Sequence, residues 1–177
     1  MHGLKPIVAE CTGPVQLCAG LQAGCETGTH ALRSLFACDA TEGVLLVDAT
    51  NAFNALNRRV TLLNSQVVCP PMARLLINTY RSPAHLVTPS GEMLSSTEGT
   101  TQGDPLAMAM YAIGLAPLIR RLESPGAKQI WFADNSAAGS NLIVLRRWWD
   151  LLNEVGPAYG YYPNNLKTWF VVKSAAQ

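Results

Sequence analysis

The sequence predicts an α+β fold, a mostly antiparallel sheet with helices packed on one face. Two short apolar, β-prone runs, Val44-Leu45-Leu46-Val47-Asp48 and Gln129-Ile130-Trp131-Phe132-Ala133-Asp134, each end on a carboxylate. Helical spacings and turn signals order the chain as strand, helices, hairpin, helix, hairpin, helix, strand. A hydrophobic share of 49% in 177 residues supplies the core of one domain.

The elements follow in order. Residues 1–20 show weak periodicity around Pro6, Gly13 and Pro14 and read as an irregular lead-in. Ala31, Leu32, Leu35 and Phe36 predict a helix over 26–37. The Gly43 turn leads into a strand over 44–48. Helices are expected over 57–68 and 71–80, with Pro71 suited to a first turn. Segments 84–88 and 92–96 flank Pro89-Ser90-Gly91 and form a hairpin. Residues 105–122 are apolar on most sides, a buried helix that emerges at Arg120-Arg121. A second hairpin spans 128–134 and 136–139, its turn at Asp134-Asn135. Asn141 caps a helix that runs to Val155. Gly156, Pro157, Gly160 and Pro163 mark a loop, and 168–172 is a last strand. The organisation is a lead-in over 1–20, one domain over 21–173 and a tail over 174–177.

The chain is apolar for a free-standing domain. Charged residues make up 14%, against an average of about 25%, and mean hydropathy is +0.14. Either this is a substantial core, or part of the apolar surface meets a further domain. The net charge of +1 gives none of the basic surplus usual in nucleic-acid binders. Basic residues pair at Arg58-Arg59, Arg120-Arg121 and Arg146-Arg147, which fits solvated helix faces or phosphate contacts. Five cysteines without a Cys-x-x-Cys pair favour neither a disulfide framework nor a zinc site. A reducing, intracellular compartment fits, cytoplasm or nucleus, with no membrane span and no secretory signal.

A carboxylate at the end of a buried strand is costly unless it faces a cation or a hydrogen-bond network. Either Asp48 or Asp134 alone also fits a turn cap. Two such carboxylates suggest a shared metal site, because two-metal nucleotidyl transfer needs carboxylates held rigidly and close together.

The run Asp48-x-x-x-Ala52-Phe53, then Gln102-Gly103-Asp104-Pro105, Phe132-Ala133-Asp134-Asn135 and Gly160-Tyr161-Tyr162-Pro163-Asn164-Asn165-Leu166-Lys167-Thr168, resemble in order the four motifs of a reverse transcriptase palm, closest to the retrotransposon type. The separations from Gly103 to Asp134 and from Asp134 to Lys167 are similar, as family members usually show. The resemblance implies that Asp48 and Asp134 bind Mg²⁺ or Mn²⁺. It implies that Phe53 lies under the incoming sugar and excludes a 2′-hydroxyl. Gln102 and Gly103 would contact the nascent base pair and incoming nucleotide. Lys167 would lie near the leaving pyrophosphate and donate a proton.

One catalytic position departs from the family. Asn135 stands where a second aspartate is usual, and an amide oxygen is a poorer ligand for a hard cation. Some viral RNA polymerases of related palm architecture carry Gly-Asp-Asn here. The expected function is therefore that of an RNA-directed DNA polymerase palm fragment, its partners an RNA or DNA primer-template and deoxynucleoside triphosphates. The alternative is a catalytically inactive transposable-element remnant that binds RNA or protein. Fingers and thumb are largely missing from the resemblance. Their absence, or that of a protein partner, predicts exposed apolar faces and aggregation.

Overall fold

The computed structural model describes residues 3–19, 21–101 and 103–174. Gln102 therefore lies outside the described residues. The elements are α1 (Lys5–Thr12), α2 (Gly24–Ala37), β1 (Gly43–Val47), α3 (Ala52–Ala55), α4 (Arg58–Val68), α5 (Pro70–Tyr80), β2 (Ala84–Val87), β3 (Met93–Ser96), α6 (Ala107–Arg121), β4 (Lys128–Phe132), β5 (Asn135–Ser140), α7 (Leu142–Tyr159) and β6 (Trp169–Val172). The main sheet has the order β4-β5-β1-β6, and β2-β3 form a separate hairpin. Every paired neighbour is antiparallel. The α+β class and the antiparallel sheet are as predicted, but the helices are not confined to one face: α6 and α7 pack on one side and α2 on part of the other.

β1 is central because it is apolar on both faces. It pairs Leu46 with Ala137 of β5 and with Trp169 of β6. On one face Trp131, Ala138 and Leu45 meet α6 and α7. The Gln129 amide joins the layers, its Nε2 donating to the Ile119 carbonyl at 2.9 Å and its Oε1 accepting from Trp148 Nε1 at 3.3 Å. Nearly all of α6 is buried. At Gly114 an added Cβ would stand 2.6 Å from Thr61 Oγ1, so glycine permits the close approach of α4. On the opposite face α2 covers part of the sheet, with Leu35 against Gly139 and Gly28 against Ile130.

Four further expectations change. The lead-in is not irregular: Pro6 sits in the first turn of α1, which buries Val8 and Thr12 against the body. Its eight residues are too few to show a clear period. After it, Leu17 N–H donates to Trp131 O and Trp131 N–H to Val15 O, each at 2.8 Å, which covers the β4 edge. The short helix α3 was unmarked by periodicity. α7 passes through Gly156 and Pro157 instead of ending at Val155. Gly160 stops it at φ 78, where the Tyr161 N–H closes on Gly156 O at 3.0 Å. Finally, Asn135 pairs with Phe132, so the tight turn is Ala133-Asp134 and Asn135 opens β5.

Apolar side chains remain exposed on β2, β3 and β6, among them Val87, Met93, Trp169 and Phe170. Among the described residues no helix is long and apolar enough to cross a membrane.

Candidate active site

Asp48 follows Val47, the last residue of β1, whose partner on β5 is Ser136. One further step along this ladder sets Asp48 opposite Asn135, with both side chains on the sheet face that α2 partly covers. Lys167 Nζ lies 3.2 Å from Asp48 Oδ2, with the two side chains 68% and 20% exposed. Backbone bonds carry the lysine there. Asn164 N–H donates to Asp48 O and Thr50 N–H to Tyr162 O, each at 2.8 Å. Asn164 then folds the next turn: its Oδ1 accepts from Leu166 N–H at 3.1 Å and its carbonyl from Lys167 N–H at 3.0 Å.

Asp134 sits in the two-residue turn between β4 and β5. Burial raises its carboxyl above the ordinary value, its own backbone N–H opposes that, the charge of Asp48 raises it further and Lys167 lowers it. The register places this turn directly before Asn135, the residue opposite Asp48, so the two carboxylates lie at the same end of the sheet. The turn is tight because Ala133 adopts φ 54. Tyr161, fully buried and edge-on to Trp131 at 5.3 Å, donates its hydroxyl to the Asp134 carbonyl at 2.8 Å.

Phe53 lies on α3 and stacks on Tyr111 with ring centroids 4.4 Å apart. The Tyr111 hydroxyl is buried and, among the described residues, has no partner. Burial raises the pKa of this hydroxyl first, and Tyr161, Asp134, Cys18 and Asp48 raise it further, so the phenol stays protonated. The Phe53 carbonyl accepts from Thr100 N–H at 2.7 Å, which ties α3 to the segment leading to Gly103. Gly103 has φ +86, and a Cβ there would meet nothing within 4 Å. Glycine serves backbone conformation at this point. Asp104 is fixed by Leu106 N–H at 2.8 Å and by the Tyr80 hydroxyl.

An open groove of about 360 Å³ runs between α2 and the sheet, lined in part by Asp48, Asn135, Lys167, Phe132, Leu32 and Trp169. The structure thus brings Asp48, Asn135 and Lys167 into one groove, with Asp134 in the adjoining turn; Phe53, stacked on Tyr111, does not line that groove. Gly103 stands off on its own loop. Two residues that sequence reasoning passed over contact the Asp134 turn. Tyr161 lay inside the Gly160–Thr168 motif without a role, and Gln16 carried no signal at all.

No family model matches the chain, and no curated protein does. Solved structures do. A Candida albicans telomerase, in complex with a TWJ fragment of telomeric RNA, aligns over 99% of this chain with TM-score 0.72 at 10% identity. An apo Candida tropicalis telomerase truncated from its C-terminal domain aligns over 88% with TM-score 0.69 at 12% identity. The Candida tropicalis telomerase with its TWJ RNA fragment aligns over 88%, with TM-score 0.64 at 13% identity. The chain spans 34%, 36% and 30% of those chains. Telomerase catalytic subunits are reverse-transcriptase-like, and the fold of this chain is a reverse-transcriptase-like palm.

Proposed function

We propose that the chain is the palm of an RNA-directed DNA polymerase of retrotransposon type, a nucleotidyltransferase acting on deoxynucleoside triphosphates and a primer-template. The observation that carries this reading is that the β1–β5 register and the Lys167–Asp48 pair bring Asp48, the Asp134 turn and Lys167 to one end of the sheet. The palm fold supports it, as does RNA in the solved telomerase complexes.

The donor set fits Mg²⁺ or Mn²⁺. Mg²⁺ is commonly held by one or two carboxylates plus substrate phosphates. Asp48 and Asp134 supply hard carboxylate oxygens. Among the described residues no group of three or more His, Cys, Asp or Glu side chains is placed to hold an ion; in this reading substrate phosphates would supply further ligands. When bound, such ions activate the attacking hydroxyl and neutralise charge on the transferred phosphoryl group.

The chain's own residues act around that. Asp48, just past the end of β1, and Asp134, in the β4–β5 turn, hold the cation side of the site. Lys167, mostly exposed and reaching back to Asp48, gives a proton to the leaving pyrophosphate. Phe53, braced by Tyr111, bounds the sugar. By the family resemblance, Gln102 and Gly103 would contact the nascent pair. Asn135 contributes a neutral amide and weakens cation binding relative to a second aspartate.

The second reading is an inactive element remnant that binds RNA or protein, and Asn135 in the groove favours it. Primer extension separates the two. With Mg²⁺ or Mn²⁺, extension by wild type and Asn135→Asp, abolished in Asp48→Ala, supports the polymerase. Extension by Asn135→Asp alone supports the inactive remnant.

A further inference from the structure

The Ala133-Asp134 turn is gripped from two sides by buried side chains. Gln16, 1% exposed, accepts the Ala133 N–H on its Oε1 at 3.1 Å. Its place is fixed by the backbone bonds that Val15 and Leu17 exchange with Trp131. From the other side the Tyr161 hydroxyl gives its one proton to the Asp134 carbonyl, so its oxygen accepts from Ser136 Oγ at 3.2 Å. Between these grips Ala133 is left-handed, with φ 54. An alanine keeps that conformation only where its surroundings impose it. A two-residue turn held at one end only can rock about the strands, and the carboxylate of Asp134 swings with it.

We infer that Tyr161 and Gln16 are positioning residues that fix the direction of the Asp134 carboxylate for a divalent cation. The inference rests on the reading of Asp134 as a cation ligand. Both are buried and neither lines the groove. Both act through the backbone of the turn, as outer partners do for metal ligands elsewhere.

Tyr161→Phe removes one hydroxyl and keeps the ring on Trp131. Ser136→Ala is its control, since it breaks the other bond of the same hydroxyl and leaves the Asp134 carbonyl bonded. Gln16→Met is the second variant, similar in shape without the amide oxygen. Mn²⁺ binding is followed by the loss of the free-ion electron paramagnetic resonance signal, and amide hydrogen exchange is read at Ala133, Asp134 and Asn135. Tyr161→Phe and Gln16→Met weaken Mn²⁺ binding about tenfold and speed exchange at the turn more than exchange in β1. Ser136→Ala stays within about twofold of wild type in both readouts. Wild-type Mn²⁺ affinity in Tyr161→Phe and Gln16→Met overturns the inference. So does an equal loss in Ser136→Ala, which marks general loosening. If wild type itself takes up no Mn²⁺, the polymerase reading falls. Turn exchange then decides the positioning role alone: faster exchange upholds it and unchanged exchange overturns it.

Discussion

Replacing Arg58 by methionine removes a buried guanidinium from the base of the loop that leads to Gly103. Arg58 is 5% exposed. Its Nε donates to Gly99 O at 2.9 Å, Nη1 to Ser96 O at 2.8 Å, and Nη2 to Glu98 O at 2.8 Å and Ser96 Oγ at 3.1 Å. It also lies over the Tyr80 ring, 5.6 Å from the centroid. Bonds from a charged donor are worth roughly 1.5–3 kcal/mol each. Their sum overstates the loss, because burying the cation carries a desolvation cost that methionine avoids. The carbonyls of Ser96, Glu98 and Gly99 then lose their donor, and the net destabilisation is about 3 kcal/mol. With a urea m-value near 2 kcal/mol/M, the midpoint falls by about 1.5 M. Urea unfolding followed by Trp fluorescence measures it. A midpoint drop below about 0.5 M at unchanged m-value refutes the claim that this guanidinium holds the loop.

The other predictions concern the site and its supports. Gly160→Ala places a Cβ 2.0 Å from Ala55 O at φ +78; it costs about 3 kcal/mol or more, read as a collapse of the thermal transition. Lys167→Ala leaves stability within about 1 kcal/mol, because the pair with Asp48 is solvent-screened. It slows primer extension about 100-fold if the lysine is the general acid. The Asp134 carboxyl is raised in the folded state, first by burial. The folded chain therefore holds that proton more tightly than the unfolded chain. The associated stability is full below the unfolded carboxyl value and is lost as pH rises through the folded one. Asp134→Asn, free of divalent ions, consequently melts higher than wild type at pH 7, and the difference vanishes in acid. A lower melting temperature at pH 7 contradicts this.

How much was legible depended on whether a signal was local. β1, β4 and β6 were readable as apolar runs, and α7 by its Asn141 cap, which accepts from Val144; the structure shows Asn57 capping α4 in the same way, accepting from Val60. Asp48, Asp134 and Lys167 were readable as motif members. A shared site for the two carboxylates was expected from the pair of strand ends, but the register that places them was not, since it depends on β1 pairing with both β5 and β6. The turn was misplaced because Asp134 and Asn135 are both good turn formers. What decided it is the bond from Ala133 to Gln16, 117 positions away. α7 outran its Gly156-Pro157 breaker for a similar reason. The cap at Gly160 and the packing of Tyr161 offset the missing proline N–H, and neither shows in a local pattern. The exposed apolar strands β2, β3 and β6 agree with the apolar composition.

Mn²⁺ titration of wild type, Asp48→Asn and Asp134→Asn is the direct test of the convergent carboxylates. Binding in wild type that is lost in each single variant is the predicted result. Affinity that survives either substitution unchanged contradicts a shared site.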